Sequence, residues 1–302
     1  MTPRTIDWRR LARLAAFATV ASVLGATIGL ASSSSAQYVH ALTHPVCWHL
    51  PNGPEEAGLE GAREQTLNSH DGIQLSAWYV PPSNSAVIIL LGGLGSGRDA
   101  LLPEGARIAG HGYGLLMLDP RCCALPSGES TLGYLEALDV QEAARWAIAQ
   151  PEVDHVGALG FSAGGVTAIL AAAADPTIEA VVAEGGFADL EADLSGKHQR
   201  GGLLARLVYL LNPLFFKLET GVDPALISPV SLLGQLSPRP VLLIYGDGEA
   251  ESGRAWEQLD AAGEPKDLWI VPGCGHGNYL EAAGQEWESR VTEFFDQALG
   301  QQ

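Results

Sequence analysis

Beyond residue 64 the chain alternates short apolar runs with longer amphipathic ones. Gln65–Ser69 and Ile73–Val80 are strand-like and meet at His70-Asp71-Gly72, an Asp-Gly step that predicts a hairpin. Ala86–Leu91 (AVIILL), Tyr113–Leu118 (YGLLML), His155–Leu159, Ile178–Ala183, Val241–Tyr245 (VLLIY) and Leu268–Val271 are continuous apolar runs, as expected of strands covered on both faces of a parallel sheet. Between them, helices are predicted over Leu101–Ala109, Leu132–Ala149, a small-residue stretch ending at Ala174, Ala250–Ala262 and Glu281–Leu299. Such alternation predicts a doubly wound, mostly parallel α/β sheet of about eight strands, with the ligand site at the C-terminal strand ends.

Two stretches depart from the alternation. Phe187–Gln235 holds Leu203–Phe216, an apolar segment broken by Pro213, which predicts two short helices inserted between strands. They either roof the site, lining an acyl pocket, or pack on the sheet edge. A second membrane span is excluded by the shortness of the run and by Arg206 and Lys217 at its ends. The other stretch is N-terminal: Arg4, Arg9, Arg10 and Arg13 precede an uncharged segment from Leu14 to Ala31, about 27 Å long as a helix. That length and the basic flank predict an uncleaved anchor over residues 1–37, with residues 38–302 outside the cytoplasm. Cleavage near Ala36, giving a secreted or periplasmic protein, is the alternative. Tyr38–Gly61, rich in Pro, Gly and His, reads as a tether lying over the domain.

Charge narrows the partners. The net charge is −18, and the 36 N-terminal residues carry four Arg against one Asp, leaving 13 basic and 34 acidic residues, a balance of −21. Such a domain repels nucleic acid and anionic head groups, so the membrane contact is assigned to the N-terminal segment alone. Cys47, Cys122, Cys123 and Cys274 match no zinc spacing. A bridge between the adjacent Cys122 and Cys123 would be strained; pairing of one of them with Cys47 or Cys274, or four free thiols, both remain open. Cys274 is no candidate nucleophile, since no helix start follows it to lower its pKa.

Gly160-Phe161-Ser162-Ala163-Gly164 carries the chemistry. It joins a predicted buried strand to a predicted helix, and G-x-S-x-G in that setting lifts a serine hydroxyl above a sheet at a helix N-terminus. A serine nucleophile also needs a base, a group orienting that base, and N–H donors for the oxyanion. His276, flanked by glycines after the last strand, supplies the base, and Asp247 or Glu249, after Val241–Tyr245, the orienting acid. The earlier Gly92-Gly93-Leu94-Gly95 loop lacks both the P-loop Lys-Ser/Thr and a full dinucleotide spacing.

The order Ser162, acid, His276, with HDGIQLSAWYVPP, YGLLMLDPRCCALPSGES, LGFSAGG, SPVSLLGQLSPRPVLLIYGDGE and LWIVPGCGHGNYL, resembles the α/β-hydrolase superfamily from about Gln65 to Leu299. The chain looks most like bacterial, often membrane-anchored relatives of the prolyl-oligopeptidase and acyl-esterase branch. That resemblance implies an α/β-hydrolase fold with a small helical insertion over the site at about 187–235. It further implies Ser162 as nucleophile, His276 as general base, and the amides of Leu94 and Ala163 as oxyanion donors. The family's acid stands three residues after the glycine ending its strand, which is Glu249; Asp247 is the alternative. Gly92 replaces the usual bracing histidine, Arg121-Cys122-Cys123-Ala124 replaces the usual Arg-Gly-His-Gly, and the segment after the acid is short. The implied activity is hydrolysis of carboxylic esters or thioesters through an acyl-enzyme, on a small-molecule or acyl substrate, with no metal or organic cofactor. A prolyl-oligopeptidase-type peptidase and a non-catalytic binding protein of the same fold are the alternatives.

Overall fold

A computed structural model describes residues 7–51, 53–124, 128–197 and 201–300; Arg4 of the basic cluster and Pro126-Ser127 of the turn after Cys123 lie outside them. The strands are β1 (Arg63–Asn68), β2 (Gln74–Val80), β3 (Ala86–Leu91), β4 (Gly114–Leu118), β5 (His155–Phe161), β6 (Ile178–Glu184), β7 (Val241–Gly246) and β8 (Lys266–Val271). They form one sheet in the order β1-β2-β4-β3-β5-β6-β7-β8. β1–β2 and β2–β4 pair antiparallel, and every other neighbour is parallel. β3, β4 and β7 are buried at every position, so their unbroken apolar runs are the consequence of helices on both faces.

The helices are α1 (Trp8–Thr43), α2 (Leu102–Ala109), α3 (Tyr134–Ile148), α4 (Ala163–Ala174), α5 (Leu190–Leu194), α6 (Leu203–Thr220), α7 (Pro229–Leu232), α8 (Ala255–Ala261), α9 (Tyr279–Ala283) and α10 (Gln285–Ala298). α3, α4 and α8 cover one face of the sheet through Val140, Ala144, Ile169 and Ala255. α2 and α10 cover the other through Ile108, Trp287 and Phe295. The helix expected over 281–299 is two, divided at Gly284, whose φ of 54° ends α9.

α6 corrects the expectation of two short helices, because it runs unbroken through Pro213. Proline forfeits one helical hydrogen bond, but the turn around it is held from outside. Asn212 is buried, accepts a hydrogen bond from Ser35 Oγ (2.8 Å) and donates Nδ2–H to the Leu194 carbonyl (3.1 Å). α6 lies along the C-terminal half of α1, where Ala31, Ser35, Val39 and Thr43 are buried.

α1 is one apolar helix of 36 residues, long enough to cross a membrane, and it continues six residues past position 37. The rest of the expected tether is docked. Trp48 N–H donates to the Gly95 carbonyl (2.9 Å) and Gly97 N–H to the Trp48 carbonyl (3.0 Å), so residues 47–50 lie against the loop after β3. A Cys47–Cys123 disulfide ties this strap to the segment after β4. Cys122 and Cys274 are free and buried.

Candidate active site

The β5–α4 turn explains its own glycines. Ser162 sits at φ 54°, a left-handed conformation that costs a non-glycine residue energy and marks a constrained site. A Cβ on Gly160 would stand 2.2 Å from the Gly164 carbonyl oxygen, and one on Gly164 would stand 2.2 Å from the Leu91 carbonyl oxygen. The pattern is therefore a steric requirement of bringing β3, β5 and α4 together. Ser162 N–H donates to the Glu184 carbonyl (2.7 Å), fixing the turn to β6.

His276 approaches from the loop after β8. Its Nε2 is 3.0 Å from Ser162 Oγ, and its Nδ1 is 2.5 Å from Glu249 Oε2. The Phe161 ring lies 4.9 Å from the imidazole, centroid to centroid. The other Glu249 oxygen, Oε1, accepts the Gly246 N–H (3.0 Å) and the Tyr279 hydroxyl. Burial alone would raise the Glu249 pKa; hydrogen bonds from His276, Tyr279 and Gly246 together outweigh it and hold the carboxyl below its ordinary value. Asp247 points elsewhere: its Oδ2 accepts the Gly273 N–H (2.9 Å), bracing the loop that carries His276.

Leu94 lies on the loop after β3. A Cβ on Gly93 would stand 3.2 Å from the Phe161 ring and 3.5 Å from Ser162 Cβ, so this loop passes directly over the serine. In place of a bracing histidine, Gly92 leaves room for Ser96, whose Oγ would be 2.5 Å from a Cβ there and which donates to the Gly93 carbonyl (2.8 Å). Farther along, Asp119 accepts the Arg98 N–H (2.7 Å), and Asp99 accepts from His49 Nδ1 (2.8 Å) and the Leu50 N–H. Ala163 begins α4 and, with Leu94, lines a small chamber whose walls include Leu91, Leu118, Leu132 and Val140.

A second, open cleft is lined by Ser162, His276, Trp48, Glu104 and Glu184. No described residue of α6 lines it, so the inserted segment does not supply its walls. Glu184 is buried beneath the serine turn and accepts Trp287 Nε1–H (2.7 Å). Burial first, then the nearby Glu104 and Glu249 carboxylates, push it up to about 8. Burial likewise pushes Glu104 to about 7. Cys274 donates to the Gly277 carbonyl, and burial raises its thiol pKa, as expected of an inert cysteine.

Several of these residues carry weak sequence signals. Gly185 has φ 63°, and a Cβ there would meet Tyr279 Oη, with His276 Nδ1 at 3.1 Å and Glu249 Oε2 at 3.2 Å; the Gly185-Gly186 pair after a strand was its one trace. Tyr279, Glu104, Glu184 and Trp48 are brought in by folding alone.

The sheet order, the strained serine turn and the histidine approaching it define an α/β-hydrolase. Residues 38–220 match the X-Pro dipeptidyl-peptidase (S15) family, and the chain belongs to that family; it is a serine hydrolase of the α/β fold. An uncharacterised protein of Mycobacterium tuberculosis H37Rv, Rv2307c, is 26% identical over 291 residues, covering 91% of this chain and 96% of its own. PA2218 of Pseudomonas aeruginosa PAO1 is 34% identical over 70 residues, 23% of this chain and only 19% of that uncharacterised protein. Among solved structures, the Pyrococcus furiosus esterase Pf2001 shares the fold, with a TM-score of 0.66 at 21% identity over 84% of this chain and 99% of its own.

Proposed function

We propose that the protein hydrolyses carboxylic esters or thioesters through an acyl-enzyme on Ser162. The observation that carries this reading is the unbroken hydrogen-bond path from Ser162 Oγ through His276 to Glu249. His276 Nε2 takes the Ser162 proton as Oγ attacks the acyl carbonyl, and the oxyanion is received by the amides of Leu94 and Ala163. His276 then returns the proton to the departing alkoxide or thiolate, and water releases the acid by the same path. Glu249 holds Nδ1–H throughout, a role in which Asp247, engaged with Gly273, takes no part.

The acyl preference is supported by the chamber beside Leu94 and Ala163. Its acidic members are already satisfied: Glu136 accepts from Ser130, Thr131 and Gly133, Asp139 is paired with Arg121 (2.8 Å), and Asp119 accepts the Arg98 N–H (2.7 Å). What remains for a substrate is aliphatic wall. Peptide hydrolysis is the second reading, favoured by the family match itself. Of the carboxylates lining the cleft, Glu104, Glu184 and Glu281, the first two are held partly or largely protonated near neutrality by burial and so are poor partners for a peptide amine.

A fluorophosphonate probe should label the wild-type protein, and neither Ser162→Ala nor, at comparable rate, His276→Ala. p-Nitrophenyl esters of rising chain length should outpace X-Pro p-nitroanilides. Labelling that ignores both substitutions sinks the enzyme reading; preference for the anilides replaces esterase with peptidase.

The same proposal places the protein in the cell membrane, anchored by α1 with its catalytic domain extracytoplasmic. Cleavage after Ala36 would remove Ala31 and Ser35, both fully buried, and deprive Asn212 of a partner. On α6, Leu203, Leu210 and Leu218 are 70–73% exposed beside α1, an outward apolar face suited to lipid. Carbonate extraction of membranes tests this: release of the chain as a soluble protein lacking its first 36 residues overturns it.

A further inference from the structure

We propose that His40, His44 and Glu219 form a divalent-metal site, suited to Zn²⁺, that fastens the end of α1 to the end of α6. His40 and His44 are four residues apart on one helix and so share a face; their rings stack with centroids 4.2 Å apart. Both Nδ1 atoms turn toward one oxygen of Glu219 on α6, His40 at 2.7 Å and His44 at 3.2 Å. The three ligand atoms all lie within 4.8 Å of one another. Four-coordinate zinc, with bonds of about 2.0–2.1 Å to nitrogen and oxygen, holds its ligands about 3.3 Å apart. The trio needs only small side-chain rotations to meet that spacing.

The surroundings suit a bound cation. Glu129 Oε1 is 3.6 Å from His44 Nε2, on the far side of the ring from Glu219. A carboxylate there favours the Nε2–H tautomer and leaves the Nδ1 lone pair free for a metal, as outer carboxylates do for ligating histidines. Thr43 Oγ1 is also near His44 Nδ1 (3.0 Å). The neighbouring cations are engaged elsewhere: Arg121 with Asp139 (2.8 Å) and Asp71 (3.1 Å), Lys217 with Asp223 (2.6 Å). Among the described residues, two carboxylates and two imidazoles thus converge while the neighbouring cations are committed elsewhere. The His40 side chain is 65% exposed, so water completes the coordination and the ion enters from solvent. The site is structural and independent of the Ser162 chemistry.

The test uses the full chain in detergent, stripped with EDTA and kept free of thiol reductant so that Cys47–Cys123 stays closed. Calorimetry should give one equivalent of Zn²⁺ per chain, and Co²⁺ should give visible absorption of a nitrogen- and oxygen-ligated site. His40→Ala and His44→Ala should each weaken binding at least tenfold and abolish the rise in melting temperature that Zn²⁺ gives the wild type. Glu129→Gln should weaken it less. All three variants should keep wild-type fluorophosphonate labelling without metal, which establishes that they fold. Absence of saturable binding, binding indifferent to both histidine substitutions, or loss of binding in His49→Ala instead, overturns the proposal.

Discussion

The two walls of the active site are built on different principles. On the proposed nucleophile side, the compulsion is steric: Gly160 admits the Gly164 carbonyl within the turn, and Gly164 admits the Leu91 carbonyl of β3, where any Cβ would collide. On the proposed oxyanion side, the Gly92–Asp99 loop is braced within itself by Ser96, whose Oγ donates to the Gly93 carbonyl (2.8 Å) in space a Cβ on Gly92 would fill, but its other fastenings are long-range. It is held from afar, by Trp48 and His49 of the N-terminal strap, by Asp119 after β4, and by a disulfide joining residues 76 apart. Local sterics make a site that survives in the sequence as a motif. Remote fastening makes one that must be discovered in the fold.

The sharpest test of the steric side is Gly160→Ala, whose Cβ must displace the Gly164 carbonyl inside the turn itself. Complete loss of labelling with destabilisation above about 4 kcal/mol is expected, read by chemical denaturation. Next, Glu249→Gln should lower kcat by about 10³- to 10⁴-fold while Asp247→Asn stays within about threefold, by analogy with the loss of a triad acid; equal effects would show that the carboxylate behind His276 is misassigned. On the remote side, Cys47→Ser with Cys123→Ser should cost about 2–4 kcal/mol of stability. It should also lower kcat about tenfold through a loosened loop, less than the roughly 100- to 1,000-fold cost of losing an oxyanion donor outright. An unchanged kcat would remove the distinction between the two walls.

The smallest expected effect concerns the floor of the turn. Glu184 has a folded pKa pushed up to about 8, so the folded state holds its proton where the unfolded chain has lost it. Stability should therefore be greatest below about pH 4.5 for this group, fall as pH rises through the folded value, and level off above it. Glu184→Gln keeps an acceptor for Trp287 and should flatten that decline by a few kcal/mol, seen as a higher melting temperature at pH 8 than the wild type.

The central strands β3 to β7 were legible because strands covered on both faces are apolar almost throughout, β1 and β2 because an Asp-Gly step joins two strand-like runs, and the serine turn because its glycines are sterically compelled. The family resemblance favoured Glu249 over Asp247 as the acid, and Glu249 is the carboxylate that lies 2.5 Å from His276 Nδ1. Pro213 misled, since the penalty it imposes on α6 is local while the contacts of Asn212 come from α1 and from the end of α5. The Cys47–Cys123 bridge had no trace in spacing, because α1 and the strap decide which sulfurs meet. Glu104 and Glu184 carry no such signal in the sequence: burial in the fold raises both pKa values, and the Glu104 carboxylate adds to the shift on Glu184.

The bond between Ser35 and Asn212 joins positions 177 residues apart. During synthesis, the inner face of α1 emerges early and stays uncovered until α6 has left the ribosome, well after the serine turn. The Ala31, Ser35, Val39 and Thr43 face of α1 is therefore sealed only once β1 to β6 have been made. Closing so long a loop costs little more than closing a short one, about 0.6 kcal/mol per doubling, so the delay is one of time. A chain halted before residue 212 would expose an apolar helix face beside an incomplete sheet, a state that quality-control proteases could recognise.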